Sequence, residues 1–150
     1  MFSSDSAFFS SIRSIIKKMH QISDRELTRY GISHAEMRIL LFLYENEECR
    51  QEELSRVMGI DRTNIGRSLK KLEGLGYVVR DKDPDDARSF LITLDERGRD
   101  LQVDLEKLKT DIEATVTKGV SSADFEAISK LLQIIDNNLS WNNYESIKNE

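Results

Sequence analysis

The sequence predicts a mainly α-helical fold with a small β-wing: a winged helix-turn-helix flanked by long dimerisation helices. Two observations predict it. Residues 51–75 read as a helix, a tight turn and a second helix, and residues 77–94 as a two-stranded ribbon with a charged tip. On both sides of this unit, apolar residues recur at helical spacing over several turns. No linker, low-complexity segment or internal repeat interrupts the 150 residues. The chain therefore reads as one domain, 1–150, with a lobe at 33–95 and helical regions at 1–32 and 96–150.

In the N-terminal segment, Phe8, Phe9, Ile12, Ile15, Ile16, Met19 and Ile22 form a broad apolar stripe on a helix expected to reach Tyr30. Gly31 breaks the chain. Ser33-His34-Ala35-Glu36 then has the form of a capping box, in which the serine and glutamate satisfy each other's backbone donors. The helix that follows carries Met37, Ile39, Leu40, Leu41, Leu43 and Tyr44. It is apolar almost all round, so it is expected at the core of the lobe.

The helix QEELSRVM ends at Gly59, a residue that tolerates the left-handed conformation of a tight stop. Asp61 caps the next helix, RTNIGRSLKKLEGLG, and Ile60 and Ile65 are spaced as a hydrophobic staple. Ile65, Leu69 and Leu72 should face inward. Arg62, Thr63, Asn64, Arg67, Ser68 and Lys71 fall on the other side, and these residue types bond to base edges and phosphates of DNA. Gly66, among them, suits either close approach of a DNA backbone or close helix–helix packing. After Gly76 the period changes to that of strands in YVVRDKD and SFLITLD, joined by PDDAR. Arg80, Lys82 and Arg88 lie on this hairpin, whose tip can reach a minor groove.

Beyond the ribbon, a long charged helix is expected from Glu96 onward, with a narrow stripe of Leu101, Leu105, Leu108, Ile112 and Val116. Ser121 caps a last helix, with Asp124 at its third position and Phe125 placed to meet Val120. That helix carries Phe125, Ile128, Leu131, Leu132, Ile135 and Leu139, with Trp141 and Tyr144 just beyond. So many apolar faces exceed what one small chain can cover, and pairing with a second copy is the simplest solution.

These motifs resemble the winged-helix module of the MarR family of transcriptional regulators. The matching segments are QEEL, LEGLGYVVR and DPDDARS, the last containing the family's Asp-x-Arg wing signature as Asp86-Ala87-Arg88. Leu94 and Gly98, in ITLDERGRDL, match the family's exit from the wing. Asp95 stands where the family usually has threonine, and either residue caps a helix. A cytoplasmic location is the default for such a composition, and the resemblance implies a homodimer built from the first and last two helices. It implies a transcriptional regulator, expected to be a repressor, and the two identical recognition helices of a two-fold dimer call for a pseudo-palindromic operator in double-stranded DNA. The DNA-binding residues expected are Arg62, Thr63, Asn64, Arg67, Ser68, Lys71, Arg80, Lys82, Asp86 and Arg88, with Asp86 restricting Arg88. It further implies a small, often aromatic or phenolic effector in a cleft between the dimer body and the winged lobe. Here that cleft is expected near Ile12, Ile16, His20, Tyr30, Met37, Arg38, Leu41 and Tyr44, apolar walls with a few polar groups.

Composition bears on the alternatives. The formal net charge is −5, but DNA binding needs local rather than total positive charge. Between Asp61 and Lys71 the bases Arg62, Arg67, Lys70 and Lys71 face a single acid. A chain with 33% charged and 39% hydrophobic residues suits a soluble helical protein. No apolar run approaches the roughly 18 residues that span a membrane, and no signal peptide opens the sequence. One cysteine, Cys49, precludes an internal disulfide. One cysteine and two separated histidines, His20 and His34, give no metal-ligand spacing. With no phosphate loop and no nucleophile elbow, neither a cofactor nor an enzymatic activity is expected. Two further readings are a winged helix that binds protein and a redox-responsive regulator acting through Cys49. The first is disfavoured by a basic second helix without aromatic anchors, the second by Glu47 and Glu48 beside the thiol.

Overall fold

A computed structural model describes residues 7–140 and residue 145. Trp141 and Tyr144, expected to extend the last apolar face, lie outside the described residues. Two compact units divide the chain, residues 1–112 and 113–150.

In the first unit, α1 runs over Ala7–Leu27 and tightens into a 3-10 turn at Thr28–Tyr30. The expected helix to Tyr30 is thus α-helical only to Leu27. Gly31 follows at φ 72°, a left-handed backbone that glycine adopts without a Cβ penalty. The expected capping box forms at α2 (His34–Glu45), where Glu36 accepts from both the N–H and the hydroxyl of Ser33. The ribbon gains an unexpected third strand. β1 (Glu48–Arg50) pairs antiparallel with β3 (Phe90–Leu94), which pairs on its other edge with β2 (Val78–Lys82), giving the order β1-β3-β2. Three residues, two of them charged, carry too short a pattern to announce a strand. Only Cys49 of β1 points inward.

Between β1 and β2 lie α3 (Gln51–Met58) and α4 (Arg62–Gly74). Gly59 ends α3 at φ 64°, and its N–H donates to the Ser55 carbonyl. Asp61 caps α4 by accepting from the Asn64 N–H at 3.0 Å. The core of the lobe joins Ile39, Leu40 and Leu43 of α2 with Leu54 of α3, Ile65, Leu69 and Leu72 of α4, and Ile92 of β3. Burying this set supplies the hydrophobic term that holds the two motif helices against α2.

The helix expected from Glu96 onward is broken. A short α5 (Glu96–Asp100) ends at Leu101, and α6 spans Gln102–Thr117. Asp95 caps α5, accepting from the Glu96 N–H at 2.7 Å. In the second unit, α7 (Ser122–Asn138) begins at the expected cap, Ser121, which accepts from the Asp124 N–H at 3.1 Å. None of the described residues of α7 is buried, although Phe125, Ile128, Leu131 and Leu132 are large and apolar.

Candidate nucleic-acid interface

Three inward side chains fix which face α4 offers to solvent. Ile65, Leu69 and Leu72 are buried, so Arg62, Thr63, Asn64 and Arg67 stand exposed on the opposite side. The side chains of Thr63, Arg67 and the neighbouring Lys70 make no polar contact with the described residues, leaving their donors available. Arg62 forms an exposed ion pair with Glu52 at 2.8 Å, and Asn64 folds back on the capping Asp61 at 2.5 Å. Exposed contacts of this kind exchange readily with water or a ligand. Ser68 and Lys71 behave differently. Both turn toward α2 and bond to Glu36, at 3.1 and 2.9 Å.

Gly66 sits where α4 passes α3. A Cβ there would meet the side-chain amide of Gln51 at 3.3 Å, a contact on the α3 side that the flexible glutamine can yield.

The wing is anchored at its base by a buried acid. Asp83 accepts from Arg50 Nε at 2.6 Å and from the Asp85 N–H at 2.9 Å. The backbone donation, opposed by burial and helped by Arg50, holds its carboxyl below the ordinary aspartate range. At the tip, Asp86 accepts from the backbone N–H of Arg88 at 3.0 Å, and its carbonyl accepts from the Ser89 N–H at 2.9 Å. The expectation that Asp86 restrains the Arg88 side chain is therefore corrected. The acid orders the backbone of the tip in an Asx-type turn, and the Arg88 guanidinium is left without a partner among the described residues.

Arg80 differs from Arg88. Its guanidinium lies 4.8 Å over the Phe90 ring, donates to Gln51 Oε1 at 3.3 Å and sits 3.7 Å from a Glu73 carboxylate oxygen. Its side chain is 19% exposed, so it knits β2 to α3 and α4 rather than projecting from the wing. Lys82, at the end of β2, is exposed and unpaired among the described residues. Arg62, Arg80, Asp86 and Arg88 border a cavity of about 420 Å³ between the wing and the start of α3 and α4.

The helix, turn, helix and sheet in this order have relatives. The MarR family model matches residues 30–89. An HTH-type transcriptional regulator of Bacillus subtilis (strain 168), YdgJ, is 31% identical over 116 residues, covering 77% of this chain and 70% of that protein. The chain belongs to the MarR family. It is a DNA-binding transcriptional regulator of that family, with the winged-helix fold. A MarR transcriptional regulator from Methanosarcina mazei Go1 superposes with a TM-score of 0.78 at 26% identity, covering 87% of this chain and 94% of that one. A single-site mutant of MarR from E. coli, solved in complex with operator DNA, shares the fold at a TM-score of 0.77 and 22% identity, covering 84% and 91% of the two chains.

The effector residues expected from the family resemblance scatter over different environments. Met37 is buried in the core, while Ile12 and Leu41 are half-buried. Ile16, His20 and Arg38 are exposed. Tyr30 donates its hydroxyl to Asp104 at 2.6 Å. Tyr44 donates to the Gly98 carbonyl at 2.7 Å, and burial pushes its ionisation well above the ordinary tyrosine range. Of the eight, Tyr44 borders a cavity of about 590 Å³, shared with Glu45, Glu47, Glu48 and Arg99. His20 does find a partner: its ring centroid lies 4.6 Å from that of His34.

Cys49 is buried on β1, and its ionisation is pushed up to about 12 by burial first and then by Glu53 and Glu48. Burial shields this thiol and disfavours its reactive thiolate form, which weighs against the redox-responsive reading of Cys49. Among the described residues, no three of His, Cys, Asp and Glu converge as metal ligands, and no helix is long and apolar enough to cross a membrane.

Sequence reasoning missed Arg50 and Asp83 as the wing's anchor, and it read Glu36 only as a cap. Asp83 precedes the only proline in the chain, and nothing in DKDPDD separates the one buried acid from its exposed neighbours.

Proposed function

We propose that this regulator acts as a homodimer that represses transcription by reading a pseudo-palindromic operator. The observation that carries the reading is the pairing of an exposed polar face on α4, where Thr63, Arg67 and Lys70 have no side-chain partner, with an unpartnered Arg88 at the wing tip, among the described residues. In this reading α4 lies in a major groove, where Arg62, Thr63, Asn64 and Arg67 meet bases and phosphates. Arg88 and Lys82 follow the backbone into the adjacent minor groove. The E. coli relative seen with operator DNA has the same fold, which supports the arrangement.

The dimer follows from the apolar faces. Phe8, Phe9, Ile15, Ile16 and Ile22 of α1 are exposed in one unit, and Phe125, Ile128, Leu131, Leu132 and Ile134 of α7 in the other. Contiguous faces of this kind are covered in stable proteins, and a second copy with two-fold symmetry covers each with its own equivalent. The helices at 1–32 and 96–150 then form the dimer body and residues 33–95 the reading lobe. The dimer works in the cytoplasm, where its DNA is. A small aromatic or phenolic anion, bound between body and lobe near His20 and Arg38, lowers DNA affinity by favouring a different spacing of the two α4 helices.

A gel-shift titration against the DNA upstream of the chain's own gene tests the reading. A discrete complex whose affinity falls steeply with salt is expected. Binding to this duplex no tighter than to unrelated DNA would overturn it.

A further inference from the structure

Glu36 receives four hydrogen bonds, two of them from the recognition helix. Its Oε2 accepts from the Ser33 N–H at 2.8 Å, the Ser33 hydroxyl at 2.7 Å and Lys71 Nζ at 2.9 Å, while Oε1 accepts from the Ser68 hydroxyl at 3.1 Å. The side chain is only 8% exposed. A capping glutamate needs the Ser33 contacts alone. The two bonds to α4 serve another purpose.

Ser68 and Lys71 are three residues apart, one above the other on a flank of α4. The buried Ile65, Leu69 and Leu72 set the distance of α4 from α2, but apolar packing is non-directional. Two bonds from one flank to a single buried carboxylate are directional, and they fix the rotation of α4 about its own axis. A rotation of about 20° moves side-chain tips, about 5 Å from the helix axis, by roughly 2 Å. A hydrogen bond to a base edge tolerates only a few tenths of an ångström. The helix turn that carries Glu36 is itself tied to α1. The His34 N–H donates to Asp24 Oδ1 at 2.8 Å, and His34 Nδ1 lies 3.2 Å from Ser23 Oγ, whose proton goes to the Met19 carbonyl.

We propose that Glu36 is the positioning residue of the recognition helix, and that Ser68 and Lys71 act on DNA through it rather than by touching DNA themselves. This rests on the reading of α4 as the DNA-reading helix. It also makes a prediction of opposite sign to simple electrostatics. If Lys71 were a phosphate contact that Glu36 merely neutralises, removing the acid would free a positive charge and tighten binding.

The experiment measures anisotropy titrations with two duplexes, one selected by the wild-type protein from a random library and one of unrelated sequence, at several salt concentrations. Glu36→Gln keeps an acceptor for Ser33 and gives up the charge opposite Lys71. It is expected to lower affinity for the selected duplex about tenfold, as loss of a charge-assisted hydrogen bond does. Affinity for the unrelated duplex should stay within about twofold, because that binding needs charge and not registry. Lys71→Met should lose affinity on the selected duplex with no change in salt slope. Ser68→Ala, which keeps the ion pair and the fold, should lose about threefold on the selected duplex alone. Tighter binding by Glu36→Gln, equal losses on both duplexes, or a salt slope reduced by about one unit in Lys71→Met would overturn the proposal. A wild-type protein that selects no sequence would instead overturn the reading of α4 on which it rests.

Discussion

Replacing Gly98 with alanine is the sharpest stability test that the structure offers. Gly98 lies in α5 at the exit from the wing, with its Cα facing the Tyr77 carbonyl. An added Cβ would stand 2.0 Å from that oxygen, 3.0 Å from its carbon and 3.3 Å from Leu94 Cδ2. Carbon and carbonyl oxygen ordinarily approach no closer than about 3.3 Å, so α5 or the start of β2 must retreat by more than about 1 Å. The neighbour is backbone and cannot swing aside. Both sides of the contact are also bonded. The Tyr77 carbonyl accepts from the Asp95 N–H at 3.0 Å, and the Gly98 carbonyl accepts from Tyr44 at 2.7 Å. Overpacking costs about 1–3 kcal/mol and two weakened hydrogen bonds about 1 kcal/mol each, for a total of roughly 3–5 kcal/mol. In a chain of this length that corresponds to a Tm lower by about 6–20 °C. Thermal unfolding followed by circular dichroism measures it. Gly74→Ala is the control, since a Cβ there meets nothing within 4 Å and φ is not positive. It should leave Tm unchanged or raise it. A Gly98→Ala protein melting within about 2 °C of wild type would refute the packing argument.

At the wing, Arg88→Ala should weaken DNA binding by about 1–3 kcal/mol and flatten the salt dependence by about one unit of slope. Asp86→Ala should also weaken binding, although it removes a negative charge, because the Arg88 N–H loses its acceptor. Asp86→Asn, which keeps an oxygen there, should bind at least as well as wild type, and anisotropy in which Asp86→Ala binds more tightly would contradict this. His34 is held below the ordinary histidine range by burial, then by His20 and Arg38, with Asp24 opposing. The unfolded chain therefore takes up the proton first, and stability that is complete above about pH 6.5 declines as pH falls through that value. Urea midpoints between pH 7.5 and 5.5 should fall in wild type and less in His34→Gln, and parallel curves would exclude His34 as the cause. Cys49 should react with a thiol reagent at pH 8 only after unfolding in urea, so rapid labelling of the native protein would restore it as a sensor.

Where the sequence carried a strong local signal, the structure followed it. The stop at Gly59, the caps at Asp61, Asp95 and Ser121 and the capping box at Ser33 all depend on short-range chemistry. The burial of Ile65, Leu69 and Leu72 also repeats their 3.6-residue spacing. Features set by distant neighbours were not legible. β1 exists because β3 has a free edge, Arg80 turns inward because Phe90, Gln51 and Glu73 surround it, and Asp83 is buried because Arg50 reaches it across the sheet. Ser68 and Lys71 look like any other polar residues on a basic helix until Glu36, more than 30 positions earlier, is placed beside them. The break at Leu101 has no proline or glycine at it, and the turn chemistry of QVDLEK gives no warning.

Selection of duplexes from a random library by the wild-type protein tests the central claim most directly. A two-fold dimer that presents one α4 and one wing per chain should return pseudo-palindromes, with half-sites whose centres lie about 10 base pairs apart. Recovery of only single, non-symmetric sites, or of no preferred sequence, would contradict it.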